Sequence, residues 1–126
     1  MKRLWPILLL TVLLAGCVLT GSWTRSEMYF SVQRRDGTPV TEQEWASFIE
    51  QVVTPRFPAG LTVFDGAGQW RSADGHVVRE PSKVLVILYP SSESADAKID
   101  EVRRLYRERF NQEAVMKVTS PARVAF

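Results

Sequence analysis

A chain of 126 residues with 16 basic and 14 acidic side chains, a formal charge of +2, one cysteine and one histidine has few chemistries open to it. One cysteine makes no internal disulfide, and one histidine without a second thiol makes a poor zinc site, so no metal and no cofactor is expected. Hydrophobic residues at 45% and charged residues at 24% describe a globular chain rather than a disordered one.

Lys2 and Arg3 precede a short apolar run from Leu4 to Leu14, the layout of an export signal. Leu14, Ala15, Gly16 and Cys17 follow, and they resemble a bacterial lipobox, which places a lipid on the Cys17 sulfur and cleavage just before it. The apolar stretch to Leu19 holds 16 residues and is interrupted by Pro6, shorter than the roughly 20 that a spanning helix needs. The expected organisation is a removed signal over 1–16, a lipidated cysteine and short tether over 17–26, and one domain over 27–126. The expected address is the bacterial cell envelope, held to the membrane through lipid on Cys17; Val18, where some lipoproteins carry an inner-membrane retention aspartate, favours the outer membrane facing the periplasm.

Loss of Lys2 and Arg3 from the 16 basic residues leaves 14 against 14 acidic ones, so the mature chain is formally neutral. The sequence pI near 8.9 belongs largely to the signal, and no nucleic-acid partner is implied. Acylation of Cys17 removes the only thiol. Nine tether residues reach roughly 30 Å when extended, with Trp23 available either to the lipid interface or to the folded domain.

Met28, Phe30 and Val32 alternate with Tyr29, Ser31 and Gln33, predicting a first strand with one buried face. Thr41 with Glu44 forms a capping box, and Val40 with Trp45 a hydrophobic staple, so a helix starts at Glu42. Its apolar stripe is Trp45, Phe48, Ile49, Val52 and Val53, and Pro55 is expected to end it by pushing Thr54 out of the helical region. Leu61 to Arg71 and His76 to Tyr89 then predict a long hairpin around a two-residue turn at Asp74 and Gly75. Counting from that turn sets Trp70 opposite Arg79 and Gln69 opposite Glu80, with Gly66 and Gly68 forming paired bulges near Pro81 and Ser82.

After Pro90, a helix capped by Ser91 or Ser92 buries Ala95, Ile99, Val102, Leu105, Tyr106 and Phe110. Asp100 with Arg104 and Arg104 with Glu108 form spaced ion pairs on its solvent side. Ala114 to Thr119 gives a last strand. The order strand, helix, strand, strand, helix, strand is the split βαβ, or ferredoxin-like, α+β fold: an antiparallel sheet with two helices on one face. The other face, expected to carry Leu85, Ile87 and Tyr89 with Phe64 or Val63 and Tyr29, is too apolar to stay bare. A face-to-face homodimer, a partner or ligand, or a long loop is expected to cover it.

Catalytic signatures are weak. His76 follows the turn and reads as a solvated residue, and Gly66 and Gly68 lack the Lys-Ser/Thr of a phosphate loop. The better constellation is Arg56, Asp65, Gln69, Trp70, Arg79, Glu80, Tyr106, Arg109 and Gln112. Either Arg79 stacks on Trp70 while Arg56 and Arg109 form a fork for an anionic ligand, or the same groups are ion pairs that fix the hairpin to the second helix. A buried Glu80 would in addition suit a general base.

Glu44 and Trp45, Thr54 to Gly60, Gly68 to Arg71, Arg79 with Glu80, and Tyr106 to Gln112 with Arg109 and Phe110 together resemble the small bacterial lipoproteins of domain of unknown function 3574. The resemblance covers roughly residues 28–126. It implies an envelope protein with a single α+β domain and transfers no catalytic residue. The functional expectation is a non-catalytic interaction or structural module, with a small anionic-ligand binder or minor enzyme as the alternative.

Overall fold

The computed structural model describes residues 21–126. The export signal, the lipobox and Cys17 lie outside the described residues.

Four strands and two helices follow in the expected order: β1 Trp23–Ser31, α1 Glu42–Phe48, β2 Thr62–Arg71, β3 Val77–Pro90, α2 Glu93–Arg109 and β4 Met116–Ala122. The sheet runs β2-β3-β1-β4, all neighbours antiparallel, with both helices on one face. This is the split βαβ, ferredoxin-like arrangement.

β1 begins five residues earlier than the alternation at Met28 suggests, and it takes in part of the expected tether. Trp23 pairs with Pro90 on one side and Ala122 on the other. The polar residues there are used: Ser26 is fully buried and its hydroxyl lies 2.8 Å from that of Tyr89, while Thr24 Oγ1 is 2.6 Å from Ser91 Oγ. A hydrophobic period does not register such a segment, because its inward positions are matched by hydroxyls.

α1 carries the predicted capping box: Thr41 Oγ1 accepts from the Glu44 amide at 3.2 Å, and the Thr41 amide donates to Glu44 Oε2 at 2.9 Å. Val40 and Trp45 are both buried, as a staple requires. Pro55 does not act as expected, because Thr54 keeps helical angles of −56° and −43°. The helix instead widens into a π-helical turn over Ile49–Val53, whose end donates from the Thr54 amide to Ile49. The last hydrogen bond of the π turn thus falls before the proline, and past it the Arg56 and Phe57 amides both donate to the Val53 carbonyl.

The hairpin departs by one residue from the two-residue turn count. Ser72 donates its amide to His76 and Gly75 donates to Ser72, so the loop holds three residues and Gly75 sits at φ +90°. That is a type I turn closed by a left-handed glycine. Gln69 therefore faces Arg79, Trp70 faces Val78, and Gly68 faces Glu80. The register runs unbroken from Thr62 to Arg71, so the expected bulges are absent. The glycines meet a different demand: a Cβ on Gly66 would lie 2.9 Å from Ser82 Oγ, and one on Gly68 3.4 Å from the Glu80 carbonyl. Pro81 is tolerated because its carbonyl, and hence its missing N–H, faces the β1 side just where β1 ends, accepting only from Val32.

The core lies between the sheet and the helices. Phe30, Trp45, Phe48, Tyr106 and Phe110 form one aromatic cluster with centroids 4.6 to 6.4 Å apart, mostly edge to face. Such contacts add roughly 0.5–1.5 kcal/mol each beyond area burial. Leu85, Ile87 and Tyr89 belong to this side and are buried, which corrects their expected place on the open face. β3 is apolar on both faces, so alternation alone gives its phase no sign. The open face instead carries Val84 and Leu88 from β3, Phe64 from β2, Tyr29 from β1, and Met116 and Val118 from β4, while Val86 on the same face is buried in a hollow shared with Val124 and Phe126. Phe64 and Tyr29 stand where expected, while Val63 packs against the core.

Candidate functional site

The residues expected to form a polar site are dispersed over the fold, each held by a neighbour. Arg56 follows the π turn, donates to the Val52 carbonyl at 2.7 Å, and stands 3.9 Å from Glu101 of α2. Arg109, at the end of α2, reaches Gln51 Oε1 at 3.1 Å and Ser47 Oγ at 3.3 Å, with its guanidinium 5.5 Å from the Phe110 ring. Gln112 donates to the Gln33 carbonyl at 2.9 Å and ties the turn after α2 to the end of β1.

Trp70, Arg79 and Glu80 occupy the outer part of the hairpin, beyond the end of β1. Trp70 donates its indole N–H to Glu80 at 3.1 Å, and Arg79 donates to Gln69 Oε1 at 3.0 Å. The expected stack of Arg79 on Trp70 does not form, because the register places the two on opposite faces of the ribbon. A shallow groove runs along Gly66 to Gln69 and Arg79 to Pro81, and neither Arg56 nor Arg109 reaches it. The three arginines thus make no common fork.

His76 lies in solvent with Nδ1 3.0 Å from Asp74, as a turn residue should. Among the described residues no three histidine, cysteine, aspartate or glutamate side chains come together as a metal site, and no buried side-chain polar atom lacks a hydrogen-bond partner.

Two polar groupings escaped the sequence reading. Lys83, on the helix side of β3, buries its stem and holds its ammonium between Glu42 at the start of α1 and Asp65 of β2, at 2.8 and 2.5 Å. The hydrogen bond to Asp65, then that to Glu42, raises the lysine above its ordinary range, so it stays charged and non-nucleophilic. The second is a chain from Ser26 through Tyr89 to Asp96, both links 2.8 Å. Burial pushes the Tyr89 phenol up, and because it donates to Asp96, Ser26 donates to it. Ser26 is wholly buried, so this chain pins β1 to the start of α2 and offers no nucleophile to a substrate. Neither grouping has a spacing signature: the Lys83 pairs span 18 and 41 positions and the Ser26–Tyr89 link 63.

On α2, Asp100 pairs with Arg103 and with Lys117 of β4 rather than with Arg104, which instead bridges Glu101 and Glu108. The Lys117 hydrogen bond, aided by that of Arg103, holds Asp100 below the usual carboxylate range.

A family model described as "Protein of unknown function (DUF3574)" matches residues 25–126, most of the chain and nearly all of the described domain. The chain belongs to this family. Among curated proteins, no sequence matches the DUF3574 chain. Its fold is similar to that of a phage SAM lyase in complex with S-methyl-5'-thioadenosine, at TM-score 0.66 and 18% identity over 79% of this chain and 81% of that one. A phage SAM lyase in its apo state gives 0.62 and 16% over 82% and 83%. CutA from Synechococcus elongatus PCC7942 gives 0.54 and 12% over 82% and 79%. At these identities the likeness concerns the fold. It agrees with the split βαβ topology read from the strand order.

Proposed function

We propose that this DUF3574 protein is a lipid-anchored component of the bacterial envelope whose domain works as a non-catalytic interaction module close to the membrane. The observation that carries the reading is how the domain distributes its surfaces. Its polar candidates are each occupied by a neighbour, whereas the sheet face opposite the helices leaves Phe64, Leu88, Met116 and Val118 40 to 57% exposed. Contiguous apolar patches of several hundred Å² are what interaction sites present. The anionic-ligand alternative has less support, since Arg56, Arg79 and Arg109 stand on three separate parts of the fold.

The anchor is supported by the sequence: a basic start, a short apolar run, and Leu14, Ala15, Gly16 and Cys17. With β1 beginning at Trp23, five residues separate Cys17 from the sheet, a reach of roughly 17 Å. A single acyl chain holds weakly and several hold firmly. Expression of the full chain and of Cys17→Ser in a bacterium fed labelled fatty acid tests this. The full chain takes up label and fractionates with the outer membrane. Equal labelling of Cys17→Ser, or release of both forms as soluble protein, removes the anchor.

A further inference from the structure

We infer that the occupant of the open sheet face is a second copy of this chain. The inference rests on reading that face as an interaction surface and is independent of the anchor.

The face is self-complementary in charge. Arg25 and Glu27 lie two apart on β1, a central strand, with Arg25 Nε 2.7 Å from Glu27 and the Tyr29 hydroxyl 2.7 Å from its other oxygen. Phe64 flanks this line on one side and Met116 and Val118 on the other. One positive and one negative group at the middle of an apolar surface match a copy of themselves: a two-fold packing sets Arg25 of each copy against Glu27 of the other. A partner of strong single-sign charge gains nothing from such a face.

The hairpin supplies the second argument. β2 and β3 continue as a bare two-stranded ribbon beyond Ser82, where β1 has ended, from Ala67 to Arg71 and Val77 to Pro81. An isolated two-stranded ribbon is marginal in water. This one also exposes Trp70 on the open-face side and Val77 on the other, both close to half. Cover from another molecule is the missing support.

The area suffices. Four strands at about 4.8 Å and a seven-residue paired stretch at about 3.3 Å per residue give a face of roughly 19 by 23 Å, to which the ribbon adds about 200 Å². That is roughly 600 Å² a side, or about 1,200 Å² for a pair, the lower bound of specific interfaces.

Sedimentation of the purified full chain in detergent micelles, across a hundredfold range of concentration, tests this. The wild type gives two or more chains per particle. Phe64→Ser with Val118→Ser raises the dissociation constant at least tenfold while melting cooperatively, and Arg107→Ala on the solvent side of α2 leaves assembly unchanged. Hydrogen exchange on the wild type is a second readout that needs no variant: the ribbon amides gain protection as concentration rises. A wild type that stays monomeric, or a face variant that assembles like the wild type, overturns the inference. If the monomeric wild type is cross-linked in cells to another envelope protein through Phe64 and Val118, self-association falls while the interaction reading stands; if it is cross-linked to nothing, both fall.

Discussion

Tyr106→Phe isolates one hydrogen bond whose importance follows from the strand ends. The Val32 amide donates to Pro81, so Val32 faces β3, and by antiparallel alternation the Ser31 carbonyl faces the β4 side. β4 stops at Met116, opposite Tyr29, and leaves that carbonyl without a ladder partner. The fully buried Tyr106 hydroxyl donates to it at 2.7 Å. Phenylalanine keeps the ring contacts with Phe30, Phe48 and Phe110 and removes only this bond. A lost bond nets about 1 kcal/mol, and an acceptor left unpaired raises the cost to about 1–2 kcal/mol. In a domain of this size that lowers Tm by about 4–16 °C, measured by urea and thermal unfolding followed by circular dichroism.

The pH dependence gives the same buried hydroxyl a second signature. Burial pushes the Tyr106 phenol well above its ordinary range, so between the unfolded value near 10 and the folded one the native state keeps a proton that the unfolded chain has lost. Stability from this group is intact below pH 10 and falls as pH rises, by up to about 1.4 kcal/mol per unit. Tyr29, Tyr89 and Lys83 contribute alkaline losses of the same sign to both proteins, so the difference belongs to Tyr106. The variant is less stable at pH 7 and loses less between pH 10 and 11. A variant as stable as wild type at pH 7, with an equal alkaline slope, refutes the reasoning.

Lys83→Met is expected within about 1 kcal/mol of wild type, because the carboxylates it abandons, Glu42 and Asp65, are about 80% exposed and remain solvated. A loss above 2 kcal/mol in urea unfolding shows instead that the triad is integral to docking α1. Gly75→Val destabilises by about 1–2 kcal/mol, since its φ of +90° excludes a branched side chain, while Gly75→Asn costs less. Equal urea midpoints for the two variants contradict the left-handed turn.

The sequence made the helices legible because their signals are local. Thr41 with Glu44, Val40 with Trp45, and Ser92 ahead of an apolar stripe each act within one turn. The hairpin was legible as a hairpin but not in register: Asp74-Gly75 accepts a two- or a three-residue loop, and one residue moves every side chain to the other face. Leu85, Ile87 and Tyr89 were misplaced for a related reason, since Val84 to Tyr89 is apolar throughout. The candidate site was the least legible part. Long side chains such as Arg56 and Arg109 choose partners on elements far away in sequence, and spacing carries no record of Val52, Glu101, Gln51 or Ser47 as those partners.

The position of β1 has a consequence for how the molecule is made. The first strand of the described domain lies between β3 and β4, so Trp23–Ser31 waits for Met116–Ala122 before its second ladder closes. That ladder closes a loop of some ninety residues, which makes it slow relative to local helix formation.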